Sequence, residues 1–194
     1  MPVIPLPKPL VQKLRKIHKN LGDRTFFNYL QGMDNVDPRA KGDRTIPLER
    51  VLGHVRSMNV SRNFPSFRQG IVIKWSDTIP ARWAIQQIRH KVRLHNSKFQ
   101  PKEYEVLNPI GYAIGEHLIA MAKVDAPTIT EIYGVETKKA KVAIEEMKKH
   151  NIGPKLVMKT CVEAAKRLGI SPHQILYLGV KNGKVQLLPL LDYF

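Results

Sequence analysis

From Leu10 onward the apolar positions Leu10, Leu14, Ile17 and Leu21 recur at helical spacing, and Gly22 stands where a helix can end. Ahead of them Pro2, Pro5, Pro7 and Pro9 fit an extended start better than a helix. Residues 22–46, rich in Gly, Asp, Asn and Pro, read as a loop with one short helical turn at Phe26–Leu30. Pro47 then opens a stripe of Leu48, Val51, Leu52, Val55 and Met58 at helical spacing. After an irregular stretch through Asn63-Phe64-Pro65-Ser66, the run Gly70–Trp75 suits a short strand or a buried extended segment. Pro80 opens a helix to about Ser97, with Trp83, Ile85, Ile88 and Val92 toward the core.

The second half predicts four helices. Asn108-Pro109 pairs a cap with a first turn, followed by Ile110, Ala113, Ile114, Leu118 and Met121; Gly111 and Gly115, four apart, would permit close helix approach. Thr128 with Glu131 fits a capping box, in a turn broken at Tyr133-Gly134. A longer helix runs from Thr137 to about Asn151. Gly153-Pro154 starts the next, carrying Leu156, Val157, Cys161, Ala164, Ala165 and Leu168 to a stop at Gly169. Ser171-Pro172 caps a short last helix through about Leu178. Asn182-Gly183 favours a tight turn before the strand-like tail Val185–Leu191. The whole pattern predicts a mainly α protein: a C-terminal helical bundle, an extended basic N-terminal helical arm and a small terminal hairpin.

Charge turns this fold reading into a functional one. The 194 residues carry 32 Lys plus Arg against 16 Asp plus Glu, a net charge of +16, which points to a polyanionic partner. Residues 1–100 hold 19 basic and 6 acidic side chains, and eleven of the twelve arginines precede residue 94; only Arg167 follows. Arginine offers phosphate a planar, bidentate fork, so the halves read as functionally divided. Residues 1–100 form a basic nucleic-acid-wrapping arm with its helices, and residues 101–194 a helical bundle and assembly region. The candidate phosphate ligands are Lys13, Arg15, Lys16, Lys19, Arg44, Arg50, Arg56, Arg62, Arg68, Arg82, Arg89, Lys91 and Arg93. Arg44 to Arg68 recur every six residues, which suits a backbone tracking successive phosphates as well as chance in an Arg-rich region. Around Arg82, Arg89, His90, Lys91, Arg93 and His95 no Asp or Glu occurs, which favours phosphate contact over a merely solvated face.

Other chemistry finds less support. The seven histidines show no His-x-x-x-His or His-Glu-x-x-His spacing, and Cys161 sits on an apolar stripe as a buried thiol would. Glu145-Glu146 in a Lys-rich helix reads as a solvated face. No phosphate loop or dinucleotide glycine pattern occurs, so no enzyme, cofactor, metal or small-molecule substrate is expected. The longest apolar runs are too short to span a bilayer, and the first residues lack the layout of a signal peptide. Ala165-x-x-x-Gly169-Ile170 with Ile175 and Leu178 matches a helix-turn-helix spacing, with the Asn182-Gly183 hairpin as a wing. Its second helix, however, would lack Arg, Lys and Asn for base edges.

Tyr133-Gly134-Val135, the amphipathic helix after it, Ile152-Gly153-Pro154-Lys155-Leu156-Val157 and Ser171-Pro172-His173-Gln174-Ile175-Leu176 stand in an order that resembles the major capsid proteins of archaeal rod-shaped and filamentous viruses. The resemblance covers some 50 residues, Tyr133 to Gly183, with a shorter middle spacer than the family pattern and a longer basic first half. It implies a helical-bundle subunit in a virion, whose N-terminal helical arm wraps double-stranded DNA, nonspecifically and in the A form. Such subunits pair as homodimers, or as heterodimers with a related capsid subunit, in a helical filament. The apolar tail Leu187–Phe194 would then suit subunit packing or a core strand. The rival readings are a ribosomal protein bound to structured RNA and a winged-helix DNA-binding regulator.

Overall fold

The structure is a computed structural model; it describes residues 5–23, 25–26, 44–46, 71–76, 78–122, 124–134 and 137–191. The helix expected after Pro47, the turn beyond Phe26, and Arg50, Arg56, Arg62 and Arg68 lie outside the described residues. The chain divides into two compact units, and both draw on residues from either side of residue 100. One comprises Ile4–Ile85 with Ile110–Val124, the other Gln86–Pro109 with Asp125–Asp192.

In the first unit, helix α1 (Lys8–Leu21) lies against an antiparallel sheet. The strands are β1 (Arg44–Ile46), β2 (Ile71–Trp75), β4 (Tyr112–Ala113) and β5 (Leu118–Ala122), in the order β1-β2-β5-β4. The residues of α1 predicted to face inward do so: Leu10 and Leu14 are buried, joined by Val11 and by Leu6 from the proline-rich start. They meet Ile71 and Ile73 of β2 and Leu118, Ala120 and Ala122 of β5. The basic N-terminal helix is therefore one layer of a packed unit and not an extended arm, because burying this apolar seat outweighs leaving it in water.

Residues 110–121 are likewise not a helix. β5 is buried at all five positions, and a strand covered on both faces loses the alternation that would reveal it. Gly111 and Gly115, costly inside a helix, stand here just ahead of β4 and in the bend between β4 and β5. Gly115 is required by close approach: a β-carbon there would sit 2.0 Å from Asp23 Oδ1.

The second unit takes in most of helix α2 (Ala81–Phe99) and strand β3 (Tyr104–Val106). After them come helices α3 (Ile129–Gly134), α4 (Lys138–Lys149) and α5 (Pro154–Leu168). A single 3-10 turn (Pro172–Gln174) then leads into β6 (Ile175–Lys181) and β7 (Lys184–Pro189). The sheet order is β3-β7-β6, with β3 parallel and β6 antiparallel to β7. Val157, Cys161, Ala164 and Leu168 of α5 and Met147 of α4 pack on Ile175, Tyr177, Val185 and Leu187 of the hairpin.

Several of the caps read from the sequence are present, whereas Asn108-Pro109 caps no helix. Thr137 accepts from the Ala140 N–H, Thr128 and Glu131 bond reciprocally, and Gly169 ends α5 in the left-handed conformation. Asn182 and Gly183, at φ of 52° and 72°, make the turn of the expected hairpin.

The expected C-terminal helical bundle is replaced by a mixed α/β unit, and the chain as a whole is mixed α/β. Ser171 and Gln174 form the capping box of a helix that lasts one turn. Ile175–Lys181 then becomes a strand, its β-branched and aromatic residues pairing with β7. The second helix of a helix-turn-helix is thereby absent from this segment.

Candidate nucleic-acid interface

Helices α1 and α2 each carry five Lys or Arg and no Asp or Glu. On α1 the exposed Lys8, Arg15, Lys16 and Lys19 fall within roughly 100° of arc, taking 100° per residue, opposite the buried Leu10 and Leu14 and the half-buried Ile17. The seat that fixes the helix on its sheet thus turns the cations outward. Arg15 is held further by Nε, which donates to the Ala113 carbonyl at 3.0 Å. Lys13 lies toward the flank and is half-buried. At the end of α1, His18 pairs with the Asp23 carboxylate, which also accepts the His117 backbone N–H at 2.6 Å. This contact joins the helix end to the β4–β5 turn. Arg44 stands in β1, and Arg82 is exposed in the first turn of α2.

In the second unit, Arg89 and Arg93 stand one turn apart, about 6 Å of helical rise, with the exposed His90 beside them. Arg93 is exposed, whereas Arg89 is half-buried and donates from Nε to the Pro109 carbonyl at 3.2 Å. Lys91 turns toward the C-terminal end of α5: its Nζ lies 3.7 Å from where a Gly169 β-carbon would be, a place where a cation also satisfies the helix dipole. Of the second-unit candidates Arg93 is therefore the most open, and Arg89 and Lys91 have structural work as well.

Two residues of α2 depart from the sequence reading. Trp83, expected in the core, is 48% exposed. His95, expected among the surface cations, is 2% exposed, and neither ring nitrogen has a hydrogen-bond partner. It stacks on Tyr104 at 5.7 Å between centroids and tilts against Phe99 at 5.5 Å. Burial, and after it the charge of Arg167, hold the imidazole pKa below its ordinary value, with Glu163 opposing. Burial and the nearby Glu163 carboxylate push the Tyr104 phenol up to about 12.

Glu146, read as part of a solvated face, is built into the fold. Its carboxylate accepts from the Tyr177 hydroxyl at 2.7 Å and the Val180 N–H at 3.0 Å, beside the register shift at Gly179. It also borders a groove of about 540 Å³ with Val142, Ala143 and Leu178 on its walls and the Lys139–Asp125 ion pair at 2.9 Å. Burial and the Glu146 carboxylate raise the Tyr177 phenol strongly, so it stays protonated at neutral pH. The only sequence signal for this site was a Glu on a helix followed much later by a Tyr in an apolar run, which does not reveal a contact. Cys161 is fully buried, and burial pushes its thiol up to about 12.

Among the described residues no cluster of three His, Cys, Asp or Glu could hold a metal ion, and no helix is long and apolar enough to cross a membrane. No family model matches the sequence, and no curated protein does.

Proposed function

We propose that this chain is a non-enzymatic, structural nucleic-acid-binding protein that grips the phosphodiester backbone without selecting a base sequence. The observation that carries the reading is the pair of helices, α1 and α2, whose exposed faces bear cations and no acids. On α1 that face is presented by an apolar seat, so its geometry belongs to the fold. Dispersed Arg and Lys suffice for such a role, since phosphate contacts position a protein while base contacts specify sequence. A capsid-type subunit on duplex DNA is one specific form of this proposal. The helical bundle which that family resemblance implied is not the fold of this chain, so the proposal rests on the charged helices alone.

The test is binding of the full chain to duplex DNA, single-stranded DNA and structured RNA across a salt series, with electron microscopy of the long-duplex mixture. Binding to unrelated sequences with similar affinity and a steep loss with salt is expected. Regular filaments on duplex would support the capsid-type form, and a strong preference for one structured RNA would favour the ribosomal reading. Absence of binding to any nucleic acid at low salt would overturn the proposal.

A further inference from the structure

Arg167 is the single arginine of the second half of the chain, and the fold returns it to the C-terminal end of the basic helix α2. Its guanidinium carbon lies 4.2 Å from the centre of the Phe99 ring. The Glu163 carboxylate, one turn earlier on α5, pairs with it and fixes its orientation. Behind Phe99 the series of ring contacts continues into the core through His95 to Tyr104. Phe99 itself is 49% exposed.

Beside it a recess of about 240 Å³ has Phe99, Arg167, Tyr104, Glu163, Lys102 and Glu103 on its walls. The Tyr104 hydroxyl is buried on the same side, with the Glu163 carboxylate nearby.

We infer that this recess takes one unpaired nucleobase, stacked against the Phe99–Arg167 pair. The inference rests on the proposed nucleic-acid-binding function and makes it more specific. A flat aromatic ring is the ligand part that a phenyl–guanidinium surface favours, and every base has such a face. Glu103 and Glu163 can accept from exocyclic amino groups, and Lys102 can meet the adjoining phosphate. Paired bases inside a duplex cannot enter, so the recess would favour single-stranded or locally open nucleic acid.

The test uses the full chain, a short single strand carrying 2-aminopurine, and a duplex of equal length. In the native chain the 2-aminopurine fluorescence should be quenched on binding. Arg167→Lys keeps the charge and loses the planar stacking surface. It should cost roughly tenfold in single-strand affinity and abolish the quenching, while leaving duplex affinity unchanged. Phe99→Leu should do the same through the other partner. Binding to both nucleic acids with no quenching in the native chain would overturn this inference and leave the proposed function standing. An equal loss on strand and duplex in Arg167→Lys would overturn it too, since that is the signature of lost charge or altered folding. No binding of either would overturn both.

Discussion

At the scale of the residue, His95 shows how a side chain changes meaning when it is buried. In the sequence it lies among Arg89, Lys91 and Arg93, and its neighbours suggest one more surface cation. In the fold it points into the second unit, packed on Tyr104 and Phe99, and the charged form is disfavoured there. The consequence for stability follows from linkage. A histidine whose pKa is lowered on folding binds fewer protons in the native than in the unfolded state on the acid side of its ordinary value. Its contribution is fully present above about pH 6.5 and is lost as pH falls from there through the lowered native value. Urea unfolding at pH 7.5, 6.5, 5.5 and 5.0 should show the loss, at most about 1.4 kcal/mol per pH unit from this one group. His95→Phe keeps a ring in the stack and removes the titration, so it should flatten this part of the profile. An unchanged profile in that variant would show that other groups set the acid response.

At the scale of the element, the clearest case is the junction of α1 with the β4–β5 turn. The helix ends at Gly22; Asp23 then serves both His18 and the His117 backbone N–H, and Gly115 lies directly beneath the pair. There is no room for a methyl group. Gly115→Ala should destabilise by about 1–3 kcal/mol, the usual cost of overpacking, because the His18–Asp23 pair must move. Thermal or urea denaturation would measure it. Gly134→Ala, where a β-carbon meets nothing within 4 Å, is the matched control and should stay near the native value. The helices α4 and α5 were legible because Thr137, Gly153-Pro154 and Gly169 punctuate them and their buried residues keep the helical period. Strands β5 and β6 were not, since both are buried at consecutive positions, and a continuous apolar run does not distinguish a buried strand from a buried helix.

At the scale of the whole molecule, the governing quantity is charge. A net +16 on 194 residues predicts binding to a polyanion that weakens as salt rises. If Lys16 and Lys19 each meet a phosphate, Lys16→Gln with Lys19→Gln should lower the magnitude of the slope of log affinity against log salt by about 2. Both lysines are exposed on the outer face of α1, so stability should hardly change. Fluorescence anisotropy with a random-sequence duplex at several salt concentrations checks this. An unaltered slope would place the phosphate contacts elsewhere.

The sequence by itself determined the charge and its concentration in the first half, the helices α1, α2, α4 and α5, most of their caps, and the Asn182-Gly183 turn. These follow from local rules: period, capping chemistry and the conformations a residue type can adopt. Tertiary structure alone decided that α1 is a layer on a sheet, that residues 112–113, 118–122 and 175–181 are strands, and that Arg167 meets Phe99. Each of these depends on partners far along the chain: Ile71 and Leu118 under Leu10, Leu187 opposite Tyr177, and α5 beside the end of α2. A buried run becomes strand or helix according to which surface covers it and where its backbone hydrogen bonds can be met, and that surface is assembled only on folding.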